Sequence, residues 1–184
     1  MSGPRSIRAG VLTVSDRCSR GQARDESGPA VEAMLRERLG AEVVARACVP
    51  DEPDQIARRV RSWATEPGGV DLVVSTGGTG LSPRDRTPEA VRGVLEREAP
   101  GLMELARARC LAITPRAFLS RGVAGTIGQT LVITLPGSVR GATEQLGAIL
   151  DVLPHAIETL RGDVQDDGRA GARAITGNVV EHKD

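Results

Sequence analysis

Lysine and aromatic side chains are the scarcest features of this sequence. Lys183 is the only lysine, there is no tyrosine, and Trp63 and Phe118 are the only tryptophan and phenylalanine. A Walker-type phosphate loop, a Schiff-base lysine and a lysine nucleophile all require a placed amine, so the sequence excludes these three kinds of site. Unpaired bases need aromatic side chains to stack on, and we therefore expect no nucleic-acid partner.

The chain also lacks a net charge, a cysteine framework and a long apolar run. Basic and acidic side chains number 24 each, so no global field draws the protein to nucleic acid or to an anionic membrane. Cys18, Cys48 and Cys110 form no CxxC pair, which argues against a disulfide framework and a zinc site. No stretch approaches the roughly 20 apolar residues of a membrane span, and the N-terminus has no apolar targeting segment. We expect a cytoplasmic protein without a membrane partner.

Apolar residues are present in the amount and order of an α/β domain. Leu, Ile, Val and Phe make up about a quarter of the 184 residues, which is enough for one core. Strand-like and helix-like segments alternate, a pattern typical of a largely parallel sheet between helices. The predicted strands cover 7–14, 41–49, 70–75 and 131–135, and the predicted helices include 31–39, 56–63, 87–95, 102–111 and 146–160, the last one interrupted at residue 154. We expect one domain over 1–162 and a loosely ordered tail over 163–184, with a short element at 174–180.

Three of the predicted strands end in loops rich in small polar residues. The loop 76–80 reads Thr-Gly-Gly-Thr-Gly, the loop 136–138 reads Pro-Gly-Ser ahead of a helix, and Asp51 lies in a third loop. Glycine permits positive φ and lets backbone N–H groups approach an anion closely. The carboxyl ends of parallel strands meet at one edge of a sheet, where ligands bind. The sequence therefore predicts a phosphate site there, although each loop alone also fits a tight turn.

Two aspartates lie where such a site would need negative charge. Phosphoryl or nucleotidyl transfer without lysine must neutralise charge with arginine and a divalent cation, and magnesium prefers oxygen ligands. Asp51 follows the end of a predicted strand, and Asp85 lies between two arginines just ahead of a predicted helix. Structural interpretations stay open for both, because Asp85 also suits a helix N-terminus and Asp51 also suits a turn.

The sequence resembles the MogA/MoaB proteins of molybdenum cofactor biosynthesis over about residues 7–161. Seven motifs carry the resemblance and occur in the order found in that family. They are Thr-Val-Ser-Asp-Arg at 13–17, Asp-Glu-Ser-Gly-Pro at 25–29, Val-Pro-Asp-Glu at 49–52, Ser-Thr-Gly-Gly-Thr-Gly at 75–80, Pro-Arg-Asp-Arg-Thr-Pro-Glu at 83–89, Leu-Ser-Arg at 119–121 with Ala-Gly at 124–125, and Leu-Pro-Gly-Ser at 135–138. A similar domain occurs in gephyrin-type and plant cofactor proteins, fused there to an insertase domain for which this chain has no room.

The resemblance implies a fold, a reaction and an assembly. The fold is a three-layer αβα sandwich with a mostly parallel central sheet, and the assembly is a homotrimer. The reaction is a magnesium-dependent transfer of AMP from ATP to molybdopterin that releases pyrophosphate. The adenylylated pterin then passes to a molybdate insertase.

The resemblance also assigns roles to particular residues. Asp51 and Asp85 match the acidic positions tied to catalysis and to the metal, where we expect them to hold Mg²⁺. Positions expected to bind substrate or phosphate are Ser15, Asp16, Asp25, Ser27, Thr76, Gly77, Gly78, Thr79, Gly80, Ser120, Pro136, Gly137 and Ser138. Family members often have Pro and then Lys after the last of these, whereas this chain has Val139 and Arg140. Arginine keeps the charge and changes its geometry.

Two other functions fit the same motifs. Some MoaB paralogues share them and are thought to bind pterin without being the main adenylyltransferase, so a trimeric molybdopterin-binding or carrier protein is one alternative. A nucleotide phosphohydrolase, as among competence-damage-type proteins with this fold, is the other. The three predict different dependence of pyrophosphate release on the pterin.

Overall fold

A computed structural model describes residues 5–163. Its elements are, in chain order, β1 (Arg8–Val14), α1 (Asp16–Ser19), α2 (Ser27–Leu39), β2 (Glu42–Val49), α3 (Pro53–Thr65), β3 (Leu72–Thr76), α4 (Thr87–Arg92), β4 (Arg97–Glu98), α5 (Pro100–Cys110), a 3-10 helix (Pro115–Leu119), β5 (Ala124–Ile127), β6 (Thr130–Leu135), α6 (Val139–Gly147) and α7 (Leu153–Arg161). Strands and helices alternate as the sequence predicts. The expected tail and the element at 174–180 lie outside the described residues.

The strands form one mixed six-stranded sheet in the order β2-β1-β3-β6-β5-β4. The four strands β2, β1, β3 and β6 are parallel neighbours. β5 runs antiparallel to β6 and to β4. The prediction of an α/β sandwich with a mostly parallel sheet is therefore confirmed, and the carboxyl ends of four strands lie along one edge.

Helices cover both faces of the sheet because its central strands are apolar on both sides. In β6, Leu131, Ile133 and Leu135 face one core and Val132 faces the other, the period of two that a strand imposes. The first core is closed by α2, α5, α6 and α7, and the second by α3 and α4. Strands buried on both faces read as continuous apolar runs, which is why the sequence reveals them. Within residues 5–163, every helix is too short or too polar to span a membrane.

Two local features differ from the sequence prediction. The antiparallel strands β4 and β5 were not expected, because one has two exposed residues and the other has Gly125 in its middle. A Cβ atom at Gly125 would collide with the Arg97 carbonyl oxygen, so the strand pairing itself requires glycine. The predicted third helix is shorter than expected: α4 ends at Arg92, and its N-cap is Arg86 rather than Thr87. Pro154 interrupts the last helical region as predicted, and there it lies in the first turn of α7.

Candidate functional site

The loops singled out in the sequence follow the ends of four parallel strands. Ser15 and Asp16 follow β1, Asp51 follows β2, the loop 77–80 follows β3, and the loop 136–138 follows β6. Because these strands are adjacent and parallel, the topology brings their loops to one edge of the sheet. The site is therefore built by chain segments that are far apart in sequence.

The two glycine loops are joined directly to each other. The Gly77 N–H donates to the Leu135 carbonyl at 3.0 Å, and the Thr76 hydroxyl donates to the Pro136 carbonyl at 2.8 Å. Gly77 has φ 108°, and a Cβ atom there would collide with the Val14 carbonyl oxygen. A Cβ atom at Gly137 would lie 3.1 Å from the Gly77 Cα. Only glycine permits this conformation and this close approach, so the two loops form one backbone surface.

Asp51 lies beside the first glycine loop. A Cβ atom at Gly78 would be 3.0 Å from Asp51 Oδ1 and would collide with the Thr87 hydroxyl. The other oxygen of Asp51 accepts the Asp16 N–H at 2.9 Å, and the Asp51 N–H donates to Asp16 Oδ1 at 3.3 Å. This reciprocal pair holds the loop after β1 against the loop after β2. It leaves Asp51 Oδ1 directed at the glycine loop.

Asp85 lies beside the same glycine loop, at Gly80, two residues beyond Gly78. Its Oδ2 atom accepts the Ser82 N–H at 2.8 Å and would be 2.9 Å from a Cβ atom at Gly80. Asp85 is half-buried and lines a cleft. It precedes α4 in the chain but does not cap that helix. The structural interpretation of Asp85 is a charge at a helix N-terminus, whereas its carboxylate instead accepts the Ser82 N–H, which orients it toward Gly80.

The carboxylates at this edge have different charge environments. Burial raises the pKa of Asp51, and the nearby carboxylates of Asp16 and Asp85 raise it further against the opposing Asp16 N–H and Arg84. The pKa of Asp16 is lowered, chiefly by its hydrogen bonds from Arg84. Arg84 approaches Asp16 at 2.8 Å and Glu52 at 2.9 Å. The negative charge of Asp16 is neutralised by Arg84, whereas that of Asp51 is less well compensated, so an additional cation would stabilise Asp51 more than Asp16.

The oxygen atoms around Gly78 and Gly80 suit a magnesium ion that is bound jointly with substrate phosphates better than one held by the protein alone. Among residues 5–163, no group of three His, Cys, Asp or Glu side chains is placed to hold a metal by itself. The buried Thr87 hydroxyl has no hydrogen-bond partner within the same part of the chain and lies beside Gly78. Magnesium commonly takes one or two carboxylates and completes its coordination with substrate phosphates and water. The donor set fits that pattern.

A cleft of about 690 Å³ opens from the two glycine loops. It lies between them, the segment 110–120 and the first two turns of α6. Eight of the predicted site residues line it: Gly78, Thr79, Gly80, Asp85, Ser120, Pro136, Gly137 and Ser138. Ser138 is the N-cap of α6 and accepts the Gly141 N–H at 3.1 Å, as the Pro-Gly-Ser turn predicts. The cleft thus begins at a helix N-terminus, which favours anions.

The other predicted residues lie next to the cleft without lining it. Asp51, Thr76 and Gly77 support the glycine loops, and Ser15 caps α1. Asp25 accepts the Thr13 hydroxyl at 2.7 Å and the Gly28 N–H at 2.9 Å. Ser27 is the buried first residue of α2. In this conformation, Asp25 holds α2 to β1 and is not directed into the cleft.

Arg121 is a residue whose part in the site sequence reasoning missed. Its backbone N–H donates to the Thr79 carbonyl at 2.8 Å, and its guanidinium donates to the carbonyls of Gly80 at 2.8 Å and Asp85 at 2.6 Å. It also pairs with Glu89. One side chain therefore fixes the glycine loop relative to Asp85. The only sequence signal for Arg121 is its place in the Leu-Ser-Arg motif, and nothing in that motif indicates a contact with the glycine loop.

The far wall of the cleft was also missed. It comprises Cys110, Ile113, Thr114, Arg116, Ala117 and Leu119, facing Arg140, Gly141, Glu144 and Gln145 of α6. These residues belong to segments that read as ordinary helix and turn. Nothing in their spacing indicates a binding surface, because they meet only through the packing of α5 and the 3-10 helix against α6.

Comparison with known proteins agrees with this architecture. A family model described as a probable molybdopterin binding domain matches residues 10–155. The molybdopterin adenylyltransferase of Helicobacter pylori J99 is 38% identical over 164 residues, with 86% of this chain and 90% of that protein covered. Gephyrin of Dictyostelium discoideum is 42% identical over 158 residues, covering 80% of this chain and 22% of gephyrin. The chain thus spans about a fifth of that relative's length.

A solved structure gives the same answer at the level of the fold. The crystal structure of the molybdopterin biosynthesis enzyme MoaB from Thermus thermophilus superposes with a TM-score of 0.80 at 51% identity, covering 85% of this chain and 97% of that one. The family match spans all four loops of the site. This chain therefore belongs to the MogA/MoaB family of molybdenum cofactor biosynthesis proteins.

Proposed function

We propose that this protein is a nucleotidyltransferase that transfers AMP from ATP to molybdopterin and releases pyrophosphate. The observation that carries the proposal is the position of Asp51 and Asp85 beside one glycine loop, at Gly78 and Gly80. Two carboxylates beside a phosphate cradle attract a divalent cation, which suits transfer from a magnesium-bound nucleotide better than binding of the molybdopterin phosphate alone. The Helicobacter pylori relative named molybdopterin adenylyltransferase supports the same reaction.

The reaction joins two phosphates, and its bonds balance without an acid or base. An oxygen of the terminal phosphate of molybdopterin attacks the α-phosphorus of ATP and forms a new P–O bond. The bond from that phosphorus to the oxygen bridging to the β-phosphate breaks, and its electron pair leaves with pyrophosphate. The attacking phosphate is already ionised at neutral pH, so what the protein must supply is position and countercharge.

The chain has groups for both tasks. Backbone N–H groups of the loop 76–80 and the N-terminus of α6 bind phosphate oxygens. The Arg140 guanidinium, paired with Glu144 at 2.6 Å, lines the same cleft. Asp51 and Asp85, with the Thr87 hydroxyl, would hold Mg²⁺, which neutralises charge on the polyphosphate when it is bound. Arg121 keeps the glycine loop and Asp85 in register, so the two phosphates meet in a fixed orientation.

The assembly and the place of the reaction follow from the family resemblance. We propose a homotrimer in the cytoplasm that passes its product to a molybdate insertase. Cys18, Cys48 and Cys110 are all free thiols, the state expected in a reducing compartment. Partial desolvation and the nearby charges of Cys18, Asp25 and Asp51 raise the pKa of the exposed Cys48 thiol to about 11, which keeps it protonated at neutral pH. A light-scattering mass equal to one chain would contradict the trimer.

The decisive experiment measures pyrophosphate release from ATP and Mg²⁺ by purified protein, with and without molybdopterin. We expect release only when the pterin is present. Release without pterin would instead identify a nucleotide phosphohydrolase. Protein that binds molybdopterin with no release under either condition would identify a binding or carrier protein. The three outcomes are mutually exclusive, so one assay decides among them.

A further inference from the structure

The side chain of Gln145 is buried in the wall of the cleft with half of its hydrogen-bonding capacity unused. It is 2% exposed, and its amide Nε2 donates to the Ala117 carbonyl at 3.4 Å. A carbonyl oxygen only accepts, so this contact fixes the amide orientation and leaves Oε1 as the other atom. Oε1 has no partner among residues 5–163. Oε1 is closed to solvent in the free protein, and a buried acceptor without a donor is costly. Because Gln145 lines the cleft, a rotation of its side chain would bring Oε1 to a donor on the ligand.

Gln145 lies on the same face of α6 as Ser138 and Gly141, near the helix N-terminus that we propose binds phosphate. Ser138, Gly141 and Gln145 are separated by three and four positions, the spacing of one helix face, and all three line the cleft. The seven residue steps from Ser138 to Gln145 correspond to a rise of about 10 Å. A ligand with its phosphate at the N-terminus of α6 would therefore extend its other end toward Gln145.

The surfaces around Gln145 suit a flat ring. Ile113, Ala117 and Leu119 present carbon atoms to the cleft, and Cys110 is a buried thiol whose pKa burial raises, so it is neutral. Sites that bind a ring are commonly lined by apolar side chains, with a few polar atoms that hydrogen-bond to the edge of the ring and give specificity. The unpaired polar atom here is an acceptor, so the ring must offer an N–H.

We propose that Gln145 Oε1 accepts a hydrogen bond from an amino group on the heteroaromatic ring of the bound substrate, which makes Gln145 a specificity-determining residue. The inference rests on the proposed function, because that function supplies two ligands with such a ring. Both the adenine of ATP and the pterin of molybdopterin carry an exocyclic amino group. The shared chemistry is an aromatic amine, and separate titrations identify which ring it belongs to.

The test uses Gln145→Met, which keeps the length and volume of the side chain and removes its polar atoms. Gln129→Met is the matched control, since Gln129 also donates to a backbone carbonyl at 3.4 Å but is exposed and outside the cleft. AMP and molybdopterin are titrated separately into each protein by calorimetry. We expect Gln145→Met to weaken the binding of one of the two ligands about tenfold, and Gln129→Met to change neither.

A second arm varies the ligand instead of the protein. Purine riboside 5′-monophosphate lacks the amino group of AMP, so a protein that reads this group binds it more weakly. If adenine is the ring, we expect the wild-type preference for AMP to disappear in Gln145→Met, as in a double-mutant cycle. If the pterin is the ring, the variant loses affinity for molybdopterin and keeps that for both nucleotides.

The outcomes separate a binding role from a structural one. Loss of affinity with an unchanged or raised melting temperature supports the proposal, because the variant removes a buried atom that has no partner in the free protein. Gln145→Met that binds AMP and molybdopterin as tightly as the wild type would overturn it, even if pterin-dependent pyrophosphate release is observed. Absence of that release, with ligand binding still dependent on Gln145, would instead count against the proposed function alone.

Discussion

One aspartate lies near each end of strand β3, buried Asp71 before it and half-buried Asp51 beside the loop that follows it, and the two have opposite charge environments. Asp71 precedes the strand and accepts hydrogen bonds from Arg161 at 2.9 Å and from the Arg8 N–H at 2.8 Å, with Arg5 at 3.3 Å. Asp51 lies by the loop that follows the strand, where other carboxylates are its neighbours. Burial works to raise both pKa values. At Asp71 the arginines reverse the effect, and its pKa is lowered.

The contrast separates a carboxylate that serves the fold from one that serves a ligand. At the amino end of the sheet, the negative charge is neutralised within the chain, which joins the N-terminal segment, β3 and α7. At the carboxyl end, Asp51 and Asp85 lie beside the glycine loop that we propose as a phosphate cradle. Such a site becomes neutral only when a cation arrives with the substrate, so its charges are arranged for the bound state and not for the free one.

The largest expected effect is on catalysis. Asp51→Asn and Asp85→Asn each keep the side-chain shape and remove a negative charge beside the glycine loop. We expect each to lower pterin-dependent pyrophosphate release by at least about a hundredfold, since each removes a ligand of the ion that neutralises the leaving group. We also expect Asp51→Asn to leave the melting temperature unchanged or raised, because it relieves repulsion from Asp16 and Asp85.

The control for these variants is Asp151→Asn, which removes an exposed carboxylate paired with Arg109 at 2.6 Å, away from the cleft. It should retain full activity. Full turnover by Asp85→Asn would refute the metal role of that residue. A collapse of the folded state in either site variant, measured by circular dichroism, would contradict the division between the two ends of the sheet.

The second effect is on stability and belongs to the opposite end. Asp71→Asn leaves the Arg161 guanidinium, whose side chain is 7% exposed, without its counter-charge. Removing one partner of a buried pair typically costs about 3 kcal/mol of unfolding free energy. We expect that loss in urea titrations at pH 7. The specific activity of the folded fraction should be unchanged, and a loss of activity in proportion to that of Asp51→Asn would contradict the comparison.

The pH dependence of the Asp71 effect has a definite sign. The folded pKa of Asp71 lies below its ordinary value of 3.8, so its contribution to stability is fully present above that value and is lost as the pH falls through the folded pKa. The stability difference between wild type and Asp71→Asn should therefore be constant near neutral pH and shrink below about pH 4. A difference that grows on acidification would show that the pair is not the source of the stability.

Part of this arrangement can be predicted from the sequence, because it depends on local sequence patterns. β1, β3 and β6 are apolar on both faces, so their strands and end points are visible without the structure. The glycine loops are visible because only glycine tolerates their backbone, and Asp85 because it lies between two arginines ahead of Thr87. The carboxyl-end placement of parallel strands then brings these loops together by topology alone.

The rest depends on contacts that no local pattern encodes. β5 looks like a glycine-containing loop until it pairs with β6, and the contacts of Arg121 with the glycine loop arise only from tertiary packing. The buried acceptor of Gln145 is equally invisible, since a glutamine in an amphipathic helix reads as a surface residue. Whether a polar group is satisfied is a property of its neighbours, and here those neighbours come from other elements.

The smallest expected effect is that of Gly40→Ala, in a comparison of two glycines with nearly the same backbone and different surroundings. Gly78 has φ 63° in the site, and Gly40 has φ 65° at the end of α2. Alanine at Gly40 meets nothing within 4 Å, so Gly40→Ala should cost only the left-handed strain of about 1 kcal/mol, with full activity. Alanine at Gly78 carries the same strain and also displaces Asp51 and Thr87. Gly78→Ala should therefore cost more in urea titrations and abolish turnover. Equal losses of stability with retained activity in both variants would mean that the glycine loop is a turn and not a cradle.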